Sequence, residues 1–117
     1  RSVENGVKLF SIVYNSLPQQ ADEVEPMMNI VVWKEGLDTV SVIFPRRKHR
    51  PDCYSKEGNE QYLISPGALD MGGLLILPRQ TDFERINEKL LLKVMQEIVL
   101  PAETMQEVTE KIRNKGE

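Results

Sequence analysis

Apolar residues recur at helical spacing near the start of the chain. Between positions 7 and 17, Leu9, Phe10, Val13, Tyr14 and Leu17 recur at spacings of three or four positions. Residues with this spacing share one face of an α-helix. The pattern therefore predicts a helix from Val7 to Leu17, closed by Pro18.

A second helical pattern fills the last third of the chain. Asp82 is predicted to cap a helix that runs to Leu100, and the apolar positions of that helix are Phe83, Ile86, Leu90, Val94 and Ile98. Pro101 is predicted in the first turn of a last helix that ends at Gly116. The narrow apolar stripe of this helix is Met105, Val108 and Ile112.

Short segments rich in β-branched residues predict strands in the middle of the chain. Met27–Lys34 and Thr39–Phe44 form a predicted hairpin around the turn Glu35-Gly36-Leu37-Asp38. Gln61–Ser65 and the nearly continuous apolar run Met71–Leu77 predict one or two further strands. The expected fold class is α+β, with an antiparallel β-sheet packed against helices.

Length and composition restrict the function classes. The 117 residues allow a single domain, and the net charge of -3 argues against broad binding to nucleic acid or membranes. No apolar run has bilayer length, and one cysteine is compatible with a reducing cytoplasm, so we expect a cytoplasmic location. The chain begins with Arg1, and we expect residues 1–117 to be the C-terminal part of a longer protein.

One basic stretch stands out from this acidic background. The sequence FPRRKHRPDCY, at positions 44–54, places four cations around the only histidine, and it also contains the only cysteine. A Pro-Arg pair ends an apolar segment at Phe44-Pro45-Arg46 and again at Leu77-Pro78-Arg79. Guanidinium groups match phosphate and carboxylate oxygens, so two of them on one rim could hold an anion. The alternative is that each arginine simply faces water.

His49 and Cys53 are the usual residues of nucleophilic catalysis, but the pattern does not favour that role. The flanking cations oppose protonation of His49, and no orienting partner is near in sequence. The same cations could lower the pKa of Cys53. A structural or incidental cysteine remains the alternative that the pattern favours. Asp70, in SPGALD, is a candidate ion-pair partner for an arginine of the basic stretch.

The segments FPRRKHRP, SPGALDMGG and LLILPRQTDFERI, taken in this order, resemble the C-terminal region of galactose-1-phosphate-uridylyltransferase-like proteins. These in turn resemble GDP-hexose phosphorylases and diadenosine-tetraphosphate phosphorylases of the histidine-triad superfamily. The resemblance covers Met27 to Ile98. It implies a histidine-triad-like fold and a parent protein that acts on nucleotide-sugars or dinucleotides.

The chain departs from that superfamily where its chemistry resides. The superfamily uses a His-φ-His-φ-His/Gln segment (φ is apolar), whereas His49 is followed by Arg50-Pro51. The resemblance places the missing segment in an N-terminal catalytic half. We therefore expect this domain to contain no catalytic residue, no metal site and no cofactor, and to be inactive alone.

Two functions remain open at this point. In the first, the domain binds a nucleotide or sugar phosphate, or docks onto the N-terminal catalytic half, through a basic rim. The residues of that rim are Arg46, Arg47, Lys48, His49, Arg50 and Arg79. In the second, the chain is a protein-interaction or dimerisation module with no nucleotide ligand. RNA binding is not favoured, because the basic stretch lacks the interleaved aromatic residues on which bases stack.

Overall fold

The computed structural model describes residues 3–116, which form five helices and one β-hairpin. The elements are α1 (Val3–Ser16), β1 (Met28–Glu35), β2 (Asp38–Pro45), α2 (Ala68–Met71), α3 (Gln80–Arg85), α4 (Glu88–Ile98) and α5 (Ala102–Gly116). Two short 3-10 turns, Asp52–Ser55 and Gly58–Glu60, follow the hairpin. The predicted α+β class is confirmed.

The predicted hairpin is confirmed, with boundaries shifted by one residue. β1 and β2 pair antiparallel from Met28↔Pro45 to Glu35↔Asp38. The two-residue loop begins with Gly36, whose φ of 63° lies in a region that other residues rarely adopt. Glycine at the first central position is typical of a type II′ turn, whose twist matches that of the strands.

Helices α1 and α5 lie against one face of the hairpin. Leu17, directly after α1, and Val108 of α5 line a cavity of about 230 Å³ together with Ile43 of β2. Both Leu17 and Val108 are buried. The predicted apolar stripe of the last helix lines this cavity, with Val108 buried and Met105 still exposed. The buried apolar side chains among residues 3–116 are Leu17, Ile64, Val94, Ile98 and Val108.

The prediction of further strands is wrong for the described part of the chain. Residues 61–65 have no regular secondary structure, with a tight turn where the Ile64 N–H donates to the Tyr62 carbonyl, and Met71 ends the short helix α2. Behind it Gly73 has a φ of 108°, Leu74 donates its N–H to the carbonyl of Leu69, and Gly73 donates to Asp70. These bonds form a Schellman motif, so the two glycines terminate a helix and do not bulge a strand.

The single helix predicted from Asp82 to Leu100 is two helices. Asn87 interrupts it, and the Asn87 side chain accepts a hydrogen bond from the Leu90 N–H at 2.9 Å. This is an N-cap contact that starts α4. Asp82 is not a cap, because it lies within α3 and its side chain is fully buried.

The domain is less compact than its mass leads us to expect. Its accessible surface is 8620 Å², whereas a monomeric protein of 13.4 kDa is expected to expose about 6,500 Å². Its radius of gyration is 16.6 Å, against about 13.4 Å for a folded domain of this length. Large apolar side chains, including Val32, Trp33 and Leu74, are exposed. Much apolar surface is therefore left uncovered by the domain's own elements.

Candidate functional site

The basic loop, defined here as residues 46–50, begins where β2 ends and lies against the end of α4. The Arg47 N–H donates to the Ile98 carbonyl at 2.9 Å, and Arg46 forms a β-bridge with Val99. Pro45 is the last residue of β2, and the Arg46 N–H still donates to the Met27 carbonyl across the hairpin at 2.9 Å. The basic loop is thus fixed to the end of α4 by backbone hydrogen bonds alone.

The Arg46 side chain is buried and bonds to three different segments of the domain. Its Nη1 donates to Asn29 Oδ1 of β1 at 2.8 Å and also to the Pro66 carbonyl. Nη2 donates to the His49 carbonyl at 2.6 Å, and Nε donates to the Lys48 carbonyl at 3.1 Å. Burial lowers the pKa of the Arg46 guanidinium, and the negative charge of Asp70 opposes that shift. All three nitrogen atoms of the Arg46 guanidinium therefore donate hydrogen bonds within the domain.

Arg47 and Lys48 bond to the C-terminal turn of α4. Arg47 Nε donates to the Glu97 carbonyl at 2.7 Å, one of the carbonyls that a helix end leaves without an intrahelical partner. Lys48 Nζ contacts the carboxylates of Asp52 and, at 2.8 Å, Glu97. The hydrogen bond to Asp52 raises the pKa of Lys48, and the Lys48 ammonium lowers the pKa of Asp52. Both cations complement the negative end of the helix dipole.

His49 and Arg50 face outward from the same loop. His49 is exposed, with Nε2 at 3.5 Å from the Glu23 carboxylate. The Arg50 guanidinium stacks over the Tyr54 ring at 4.2 Å, and Nε lies 3.4 Å from Ser65 Oγ. No residue between 3 and 116 forms an ion pair with Arg50. Of the basic loop's side chains, those of Arg50 and His49 make no bond to α4 and are exposed.

Arg79 belongs to a separate cluster around a buried carboxylate. It donates to both oxygens of Asp82, and Arg85 Nη2 donates to Oδ1 of the same carboxylate at 3.1 Å. These contacts, first of all the hydrogen bond from Arg79, lower the pKa of Asp82 to about 2. Asp82 also accepts from the Leu63 N–H at 3.0 Å. The segment before Pro78-Arg79 is not a strand, so the predicted second strand end is wrong.

The arginines of both Pro-Arg pairs bond to one irregular segment, residues 61–66. Arg46 donates to the Pro66 carbonyl at one end of it. Arg79 Nη2 and Arg85 Nη2 each donate to the Gln61 carbonyl at 3.1 Å at the other end. Ile64, in the middle, is fully buried. Arg46 and Arg79 therefore hold an irregular segment in place. Neither Pro-Arg pattern indicated this structural role.

A cavity of about 410 Å³ opens beside the outward-facing Arg50. Tyr54 and Ser65, which contact Arg50, line it together with Leu63, Ile76 and Pro78. Its lining is mostly apolar, and Ser65 and Asp70 are its polar members. Tyr54 and Ser65 were absent from the residues predicted from sequence, although both lie within 15 positions of Arg50.

The remaining candidate residues take structural positions. Asp70, suggested as an ion-pair partner for the basic loop, instead accepts hydrogen bonds from the Gly67 N–H at 2.8 Å and the Ile76 N–H at 3.2 Å. Burial raises the pKa of Cys53, so the thiol is not activated by the nearby cations. Within residues 3–116, no group of three acidic, histidine or cysteine side chains could hold a metal ion. No helix in that range is long and apolar enough to span a bilayer.

The chain is a small α+β domain in which most cations of the predicted basic rim, namely Arg46, Arg47, Lys48 and Arg79, bond to the domain's own backbone and acidic side chains. A family model described as GDPGP1-like, C-terminal domain, matches residues 5–117. The chain belongs to this family, the C-terminal domain of GDP-hexose phosphorylase-like proteins. The resemblance of FPRRKHRP and SPGALDMGG to such proteins is thereby confirmed. No match to the chain was found among curated proteins or among solved structures.

Proposed function

We propose that this chain is a non-catalytic docking domain that packs against the N-terminal catalytic half of its parent protein. The parent is proposed to be a nucleotidyltransferase or phosphorylase of the histidine-triad superfamily that acts on nucleotide-sugars or dinucleotides. The observation that carries the docking role is the accessible surface, about 2,000 Å² larger than expected for a monomer of this mass. An excess of this size on one partner corresponds to a permanent interface.

The distribution of exposed apolar side chains supports docking. They include Val7 and Leu9 on α1, Ile30 and Val32 on β1, and Leu92 on α4. Contiguous apolar surface is uncommon on monomeric proteins and marks interaction sites. The domain therefore offers more than one element to a partner.

The state of the cations also favours docking over broad anion binding. Arg46 and Arg79 each make several hydrogen bonds within the domain, and Lys48 is paired with two carboxylates. A phosphate would have to displace these partners. The lack of a catalytic role is supported by His49, the only histidine, which is exposed and contacts Glu23.

A cleavable linker in the parent protein tests the docking role. We would insert a specific protease site ahead of Arg1, cleave the purified full-length protein, and analyse the products by size-exclusion chromatography with light scattering. Docking predicts that the two pieces elute together as an equimolar particle. Elution as two separate, folded species would contradict it.

One observation favours a second role, binding of a nucleotide or sugar phosphate at Arg50. Its guanidinium is oriented by Tyr54 at the edge of the 410 Å³ cavity and has no ion-pair partner among the described residues. A guanidinium on an aromatic ring is held in one plane and can present paired donors to an oxyanion. Titration of the domain with nucleotides, compared between wild type and Arg50→Ala, tests this role.

A further inference from the structure

The two edges of the hairpin differ in how open they are to another strand. Arg46 donates its N–H to the Met27 carbonyl, which makes this pair a hydrogen-bonded one. Hydrogen-bonded and non-hydrogen-bonded pairs alternate along an antiparallel ladder. From the register, Val32 and its partner Ser41 form a non-hydrogen-bonded pair. The backbone groups of both residues therefore point outward, to opposite edges of the hairpin.

The outer edge of β2 carries features that block pairing. Its outward-pointing residues are Thr39, Ser41, Ile43 and Pro45. Pro45 has no N–H, two of the others are polar, and the bridge between Arg46 and Val99 closes the end of this edge. Such features protect natural edge strands from unwanted pairing.

The outer edge of β1 lacks that protection. Its outward-pointing residues are Met28, Ile30, Val32 and Lys34. Helix α2 lies beside β1, but Ile30 and Val32 are exposed at 38% and 55%. The edge has no proline and no charge before Lys34. A long apolar edge of this kind is a template for another strand.

Both faces of the hairpin are apolar. Ile30, Val32 and Ile43 lie on one face, and Val31, Val42 and Phe44 lie on the other, as the alternating register requires. Strands that are apolar on both faces are typical of the interior of a larger sheet. A two-stranded hairpin is marginally stable alone in water. Among residues 3–116, β1 and β2 pair only with each other.

We infer that a strand of the parent protein's N-terminal part pairs with the outer edge of β1 and extends the hairpin into a larger sheet. The inference rests on the proposed docking role and specifies its contact. The family of this chain is a C-terminal domain, and the excess surface has the size of a permanent interface. A strand from the N-terminal part of the same polypeptide would always be present beside this domain and could cover a surface of that size. Its backbone hydrogen bonds would supply the pairing with β1.

Two matched proline variants test the edge. Val32→Pro and Ser41→Pro sit opposite each other, and each removes an N–H that points out of the hairpin and makes none of its internal bonds. In the cleaved full-length protein we expect Val32→Pro to weaken association of the two pieces by about tenfold or more. Ser41→Pro should leave it within about twofold. Circular dichroism serves as the check that both variants keep their helices.

Hydrogen exchange supplies an independent readout of the same edge. In the uncleaved protein, the amides of Ile30, Val32 and Lys34 should be protected, and those of Thr39 and Ser41 should exchange rapidly. Rapid exchange at Ile30 and Lys34, together with normal association of Val32→Pro, would overturn the edge contact while leaving docking intact. Equal losses in both variants would also overturn it. Separation of the wild-type pieces would instead overturn the proposed function.

A second copy of the chain is the competing occupant. If it occupied the β1 edge, the uncleaved protein would show a concentration-dependent doubling of mass by sedimentation, and Val32→Pro would abolish that doubling. This result would overturn the assignment to the N-terminal part. A constant monomer mass with protected Ile30 and Lys34 amides supports it.

Discussion

Arg79 holds the carboxylate of Asp82 at both oxygens, with Nε 2.9 Å from Oδ2 and Nη2 3.0 Å from Oδ1. Asp82 is fully buried, and Arg85 contributes a third charged hydrogen bond to it. Two-point contacts between guanidinium and carboxylate are among the stronger polar interactions in proteins. This cluster anchors α3 to the irregular segment 61–66, at Gln61 and Leu63.

Replacing Asp82 by Asn should destabilise the domain by about 2–3 kcal/mol, because it leaves two arginines without their shared counter-charge. Urea unfolding followed by Trp33, the only tryptophan, measures the change. Glu84→Gln is the matched control, since it removes the same charge from an exposed position of α3. A cost below about 0.5 kcal/mol for Asp82→Asn, the range of ordinary surface substitutions, would contradict the anchoring role.

The same carboxylate predicts an acid-dependent loss of stability. The folded pKa of Asp82 is about 2, below its ordinary value of 3.8. A depressed carboxylate pKa contributes stability that is present above the ordinary value and is lost as pH falls through the folded value. The stability difference between wild type and Asp82→Asn should therefore hold above pH 4 and shrink from there towards pH 2. A difference that stays constant over this window would contradict the assignment.

Arg46 and Arg50 lie four positions apart, and we expect their replacement to have very different effects on the free energy of unfolding. Arg46→Ala should destabilise the domain by about 3 kcal/mol, because it strips a buried hub of its bonds to Asn29 and Pro66. Arg50→Ala is the matched control, and it should change stability by less than about 0.5 kcal/mol. Equal effects in urea unfolding would show that the burial of Arg46 has no structural consequence.

Anion binding is expected to follow Arg50. Nuclear magnetic resonance titration of the domain with a nucleotide and with a sugar phosphate should shift the amides near Arg50, Tyr54 and Ser65. Arg50→Ala should abolish these shifts, whereas Arg113→Ala, which removes an exposed arginine on α5, should preserve them. Shifts centred on Arg79 or Lys48 would contradict the assignment to Arg50. The absence of any shift would limit the basic loop to its structural contacts.

The sequence predicted those parts of the fold that depend on local periodicity. The hairpin with its Gly36 turn and the stripe containing Val108 follow from spacing and turn chemistry alone. The prediction of a strand over Met71–Leu77 was wrong. A Gly-Gly pair after a short helix and one inside a strand have the same sequence, and only the φ of Gly73 distinguishes them. The split at Asn87 is visible in hindsight as a cap residue inside a continuous apolar pattern.

The candidate site was less predictable, because its contacts join residues that are far apart in sequence. Arg46 bonds to Pro66, and Arg79 bonds to the carbonyl of Gln61, 18 positions earlier. Backbone carbonyls carry no pattern in the side-chain sequence that could indicate them as acceptors. A cluster of cations was evident, but which of its members are occupied within the fold depends on tertiary structure.

Trp33 offers the most direct test of docking. It lies in β1 near the hairpin turn and is 43% exposed. In a parent protein whose other tryptophans are replaced by phenylalanine, acrylamide quenching of Trp33 is measured before and after protease cleavage and separation of the pieces under mild denaturant. Docking predicts that Trp33 in the intact protein is weakly quenched and emits at a shorter wavelength. In the isolated, refolded domain, Trp33 should be quenched more strongly and should emit at a longer wavelength. Equal quenching in the two states would show that the hairpin is as exposed in the parent as it is alone, and would contradict the proposed function.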